Sequence, residues 1–96
     1  MMKSVTMEEL IEVMKDDAIV IDVRETFEYE AGHVPTAQNI PLSELDSRVD
    51  EIKEGSYIIC QSGARSMRAC QYLEAQGKDV TNVLGGTSAW DGCLAV

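Results

Sequence analysis

Residues 56 to 66, Ser56-Tyr-Ile-Ile-Cys60-Gln-Ser-Gly63-Ala-Arg65-Ser66, join a short apolar run to a polar loop with one glycine and then to the start of a helical repeat. Tyr57 to Cys60 reads as a buried strand, and the segment after the loop reads as a helix running to about Gln76, where Gly77 supplies a stop. Where a strand hands over to a helix, unpaired backbone N–H groups converge beyond the strand's carboxyl end and favour an anion. Cys60 stands at that end. Its sulfur is the candidate reactive centre, with a thiol pKa expected below the ~8.5 of a free thiol. The plainer alternative is a cysteine that merely closes the apolar run as a small hydrophobe. Gln61, Ser62, Gly63, Ala64, Arg65 and Ser66 speak against it, because they offer no bulky cover, a glycine for tight curvature and an arginine for negative charge.

Outward from this stretch, strand and helix signals alternate. Lys3 to Thr6 predicts a short edge strand, and Thr6 with Glu9 fits a capping box for a helix to about Lys15, with Leu10, Val13 and Met14 as its apolar stripe. Ala18 to Val23 is nearly continuous in β-branched residues and predicts a central strand. Arg24 to Ala31 predicts a short helix stopped by Gly32, and Thr36 to Ile40, between Pro35 and Pro41, a short strand. Ser43 is expected to cap a helix to about Ile52 that carries Leu45, Val49 and Ile52. In the helix after Cys60 the expected stripe is Met67, Cys70 and Leu73. Asp79 to Leu84 predicts the last strand, Gly85-Gly86 a sharp turn, and Thr87 to Asp91 a short helix carrying Trp90. Such alternation predicts an α/β sandwich with a parallel sheet, in which ligands sit at the carboxyl ends of strands.

Ninety-six residues with 45% hydrophobic content are expected to form one domain, residues 1–96. Seventeen acidic against 8 basic residues, a net charge of −9, argue against nucleic acid and anionic membrane as partners. The chain contains no apolar run of the ~18 residues a membrane span needs, nor a secretory leader pattern, so the expected location is cytoplasmic. Cys60, Cys70 and Cys93, with one histidine and no Cys-x-x-Cys pair, encode neither a disulfide framework nor a zinc site. Cys70 reads as core, and Cys93 as a terminal thiol without a role. His33 suits either a base for a cysteine nucleophile or a loop residue donating to a backbone carbonyl, the latter being preferred. Asp22, Arg24, Glu28 and Glu30 read as a polar network tying a strand end to the next helix. Arg65 is either a fixed charge beside the loop or a guanidinium turned to solvent, since backbone N–H groups alone can bind an anion.

Taken together, Asp22-Val23-Arg24, Tyr29-Glu-Ala-Gly-His33-Val34-Pro35, the Cys60 to Ser66 loop and Leu84-Gly85-Gly86-Thr-Ser-Ala-Trp90 resemble the rhodanese domain, the sulfurtransferase module, in family order and over essentially the whole chain. The resemblance implies a three-layer α/β/α sandwich with a five-stranded, mainly parallel sheet and no cofactor. It implies that Cys60 takes a sulfane sulfur from thiosulfate or another persulfide donor and passes it to cyanide, a thiol or an acceptor protein. The Gln61 to Ser66 amides would cradle persulfide and substrate anion, with Arg65 as the charge beside them. Two alternatives are a non-catalytic partner-binding module of this fold and a cysteine-dependent phosphatase or arsenate reductase. The related phosphatases use Cys-x5-Arg, whereas only four residues separate Cys60 from Arg65, a smaller cradle better matched to one extra sulfur. After Val34-Pro35 the family has glycine where this chain has Thr36, so a locally different turn is expected there.

Overall fold

The computed structural model describes residues 2–96. The apolar run Val20–Asp22 forms strand β2, every residue of which is buried. β1 (Lys3–Val5), β3 (Gln38–Asn39), β4 (Ser56–Ile59) and β5 (Val80–Val83) complete a five-stranded sheet in the order β1-β5-β4-β2-β3, with every strand pair parallel. The most apolar strands take the middle because a parallel sheet covered on both faces has no solvated side for them.

Helix α1 (Met7–Met14) begins at the expected capping box: Thr6 accepts from the Glu9 N–H, and Glu9 accepts from the Thr6 N–H. Two further helices, α2 (Thr26–Ala31) and α3 (Ala64–Ala75), follow β2 and β4. Two apolar clusters fill the two sides of the sheet. One gathers Ile21, Ile40, Leu45, Ile52, Ile58, Cys70, Leu73 and Val80; the other gathers Met7, Leu10, Val20, Val34, Ile59 and Val83.

Three expectations about helices are corrected. The short helix expected over Thr87 to Asp91 is a 3-10 turn, Gly86–Ala89, that ends before Trp90. The segment after Pro41 is not an α-helix capped by Ser43 but two 3-10 turns, Leu42–Ser47 and Val49–Glu51, entered from Pro41. The Ser43 hydroxyl donates to Glu25 instead. Leu45 and Ile52 are both buried, and Arg48 with φ −126° divides the turns. In α3 the buried face is Ser66, Ala69, Cys70 and Leu73, while Met67 is 42% exposed. The stripe thus starts one residue earlier than its apolar members suggest, with a serine facing inward.

Thr36 adopts a left-handed backbone, φ 75°. For a β-branched residue that conformation costs about 1–2 kcal/mol; glycine relieves it but loses roughly 0.4–1 kcal/mol through the greater entropy of its unfolded chain. Thr36→Gly is therefore expected to stabilise the protein by about 0.5–1 kcal/mol, read as a higher urea midpoint at unchanged slope. A midpoint equal to or below that of the parent would contradict this account.

Candidate functional site

β4 ends at Ile59, and Cys60 follows at the carboxyl end of the sheet with 1% of its surface exposed. Gly63 then takes a left-handed conformation, φ 110°, which turns its N–H back onto the sulfur: Gly63 N donates to Cys60 Sγ at 3.1 Å. Glycine suits that position because a side chain there would be strained. The Ser66 hydroxyl, buried on the first turn of α3, lies 3.4 Å from the same sulfur. Burial pushes the Cys60 thiol up; hydrogen bonds from the Ser66 hydroxyl and from the backbone N–H groups of Ser66, Gly63 and Ser62 pull it down and prevail, leaving it below the ordinary 9.0. Cys70 is the internal comparison. Equally enclosed but without such donors, it is pushed up to about 12, chiefly by burial.

The other face of Cys60 is held from β5's far end. Its carbonyl accepts from Thr87 N at 2.8 Å and Thr87 Oγ1 at 3.1 Å, and the Gln61 carbonyl accepts from Ser88 N at 3.0 Å. This contact demands Gly86. A Cβ there would stand 2.4 Å from the Cys60 carbonyl oxygen and 2.7 Å from the Gln61 backbone.

Two arginines flank the loop, and both are committed. Arg24 is buried with Asp22, donating to it through Nε and Nη2, and also donates to the Gly32 carbonyl at 2.8 Å and to Gln61 Oε1 at 3.3 Å. Arg65 donates through both terminal nitrogens to Glu28, at 2.6 and 2.9 Å. The Arg65 guanidinium holds the Glu28 carboxyl at about 2, well below the usual carboxylate range. Arg65 is therefore neither a free charge aimed at the loop nor a side chain turned to solvent. Of the other loop residues, Ser62 and Ala64 are exposed, and Gln61 Nε2 donates to Ser88 Oγ at 2.8 Å. Glu30 is exposed and stands outside the polar network that Asp22, Arg24 and Glu28 enter. His33 stacks on Tyr29, ring centroids 3.7 Å apart, and its Nδ1 donates to the Tyr29 carbonyl at 2.9 Å, the structural use preferred from the sequence.

Asn82 was not singled out from the sequence. It is fully buried on β5, and Ser66 Oγ lies 2.6 Å from its Oδ1. A polar residue inside the otherwise β-branched run 80–83 is the signal that marks it, just as Ser66 falls seven residues before Leu73 on the buried stripe.

A five-stranded parallel α/β domain with a cysteine loop at the end of its central β4 defines a class of enzyme-like folds; the family within it follows from comparison. Residues 6–93 match the family model described as "Rhodanese-like domain", and the chain belongs to that family. It is 39% identical over 79 residues to the "Putative sulfurtransferase YtwF" of Bacillus subtilis, covering 80% of this chain and 77% of that protein. It is 37% identical to a protein named "Sulfurtransferase" from Allochromatium vinosum, covering 78% and 73%. The chain spans only 41% of the length of another relative, the "Putative sulfur carrier protein YrkF" of B. subtilis, and 62% of a second B. subtilis protein, "Uncharacterized protein YqhL". A rhodanese-like domain protein from Staphylococcus aureus superimposes with a TM-score of 0.90 at 35% identity, covering 99% of this chain and 98% of that one. Among the described residues no helix is long and apolar enough to cross a membrane.

The contrast between the two buried thiols is testable. Iodoacetamide is expected to modify Cys60 with a pH midpoint below 9.0 and to leave Cys70 untouched in the folded protein, as read by peptide mass. A Cys60 midpoint at or above that value would remove the electrostatic basis of the site.

Proposed function

We propose that the protein is a sulfurtransferase with Cys60 as its nucleophile, and that residues 1–96 fold as a single rhodanese-like domain. The observation carrying this reading is the Gly63 N–H aimed at Cys60 Sγ at 3.1 Å, beside the Ser66 hydroxyl, because these donors favour the thiolate over the thiol. The thiolate attacks the outer sulfur of a donor, such as thiosulfate or a persulfide. A bond forms between Sγ and that sulfur, the donor's S–S bond breaks, and the electron pair leaves on sulfite or on the donor thiolate. An acceptor thiolate or cyanide then attacks the outer sulfur of the Cys60 persulfide and returns the Cys60 thiolate. The amides of Gln61 to Ser66 serve as the cradle for the persulfide and the substrate anion, and no metal or other cofactor enters the sequence of steps.

Glutathione persulfide, a coenzyme A persulfide and a persulfidated protein suit the same chemistry as thiosulfate. Relatives named as a putative sulfur carrier and as sulfurtransferases support transfer of sulfur between a donor and an acceptor, the acceptor being in our reading a thiol or an acceptor protein. Three free cysteines suit a reducing compartment, and we assign the protein to the cytoplasm. The four-residue spacing from Cys60 to Arg65, and the engagement of Arg65 by Glu28, both disfavour the phosphatase and arsenate-reductase readings, which need an arginine on a tetrahedral oxyanion.

Incubation with thiosulfate or glutathione persulfide is expected to add one sulfur to Cys60, visible by mass spectrometry and removed by cyanide. No mass gain with any donor of that panel, or loading that persists in Cys60→Ser, would refute the assignment; Cys60-dependent release of phosphate from an aryl phosphate would favour the phosphatase. The charge of Arg65 is testable separately. Glu28→Gln keeps a helix-start acceptor for the Glu25 N–H, yet frees the guanidinium. Loading from thiosulfate should then quicken about fivefold at low salt and lose that gain at high salt. An unchanged rate would mean that the backbone alone receives the anion.

A further inference from the structure

The hydroxyl of Ser66 is surrounded by more acceptors than its single proton can serve. Its Oγ lies 3.1 Å from the Gly63 carbonyl oxygen, 2.6 Å from Asn82 Oδ1 and 3.4 Å from Cys60 Sγ. A carbonyl and a thiolate only accept. With Cys60 ionised, three acceptors would thus compete for one hydrogen, while Asn82 Nδ2, buried, has no hydrogen-bond partner at all. Among the described residues it is the one buried side-chain nitrogen or oxygen left without a partner. An unmade buried N–H bond leaves the desolvation of that group uncompensated.

Both difficulties vanish if the carboxamide is turned by 180°, an exchange of two atoms of nearly equal size whose identities only the hydrogen-bond network distinguishes. We propose that Asn82 is a positioning residue that donates its amide N–H to Ser66 Oγ and so releases the Ser66 proton to Cys60 Sγ. The buried donor gains its partner, and the group left over is a carbonyl oxygen, which tolerates an unmade bond better than an N–H does. When Cys60 is protonated, its S–H donates to Ser66 Oγ and the serine proton rests on the Gly63 carbonyl. When Cys60 ionises, that proton swings to the sulfur. Asn82 never touches the sulfur and acts through Ser66. The charged groups bordering the loop are Arg65 with Glu28 from α2, and Arg24 with Asp22 from β2; each is paired with its neighbour, and from α3 Cys70 faces the same interior. The proposal deepens the sulfurtransferase reading of Cys60, but it concerns the ionisation of the thiol and is tested without any sulfur donor.

The experiment is the pH profile of iodoacetamide alkylation at Cys60, followed by peptide mass in the parent, Asn82→Asp, Asn82→Leu, Ser66→Ala and Asn82→Asp/Ser66→Ala proteins. Asp can only accept when ionised, so it captures the Ser66 proton; Asn82→Asp should raise the midpoint by about one pH unit, roughly tenfold less thiolate at neutral pH. In the Ser66→Ala background most of that effect should disappear. Asn82→Leu removes a donor to Ser66 but leaves its proton free, so the midpoint should stay or rise slightly. A midpoint that falls in Asn82→Leu would overturn the proposal, because it would mean that the amide oxygen had been drawing the proton away. An Asn82→Asp shift of equal size with and without Ser66 would also overturn it, as a plain charge effect. Should circular dichroism reveal that the Asp variant does not fold, the sign of the Asn82→Leu shift decides alone.

Discussion

Cys60 is held from two sides by parts of the chain that are distant in sequence. Its sulfur takes a hydrogen bond from Gly63 at the entry to α3, and its carbonyl takes two from Thr87 beyond β5. Neither anchor serves without the other. A sulfur facing backbone donors needs a fixed main chain beneath it, and the close approach of Gly86 to the Cys60 carbonyl fixes that main chain. The parallel sheet makes the arrangement available, since β4 and β5 are neighbours running the same way and their carboxyl ends open on the same side.

Electrostatics at the loop are local. The chain carries a net charge of −9, yet within the loop's reach the charges are grouped into two ion pairs, Asp22–Arg24 and Glu28–Arg65. The first is buried, and removing one partner of such a pair typically costs about 3–5 kcal/mol because the other charge is stranded. It also carries Gln61 and the Gly32 carbonyl, so it joins the end of β2, the end of α2 and the cysteine loop in one network. With both guanidiniums occupied, the backbone N–H groups are what the sulfur meets first. Catalytic loops gain from such an arrangement because main-chain donors need no reorganisation when charge appears.

Local periodicity was a good guide wherever one apolar face met the core. The capping box at Thr6, the buried run at Val20 and the strand ending before Cys60 are properties of short segments, and short segments suffice to read them. It misled after Pro41, where the helix-like spacing of Leu45, Val49 and Ile52 is met by two 3-10 turns that divide at Arg48, with Leu45 and Ile52 buried all the same. It misled at Met67 too, because the inward position one residue earlier is taken by Ser66 for its hydroxyl rather than for its hydrophobicity.

The alternation of elements, the place of Cys60 at a strand's carboxyl end, the short spacing to Arg65 and the family resemblance are legible in the order of residues, since each depends on residue types and their separation along the chain. What each loop side chain is paired with became visible in three dimensions alone. Glu28 and Arg65 are thirty-seven residues apart, and Ser66 and Asn82 sixteen. Hydrogen bonds and ion pairs act over a few ångströms of space; the pairing of β2 with β4 brings α2 to the start of α3, and the crossover from β4 through α3 to β5 brings Ser66 to Asn82.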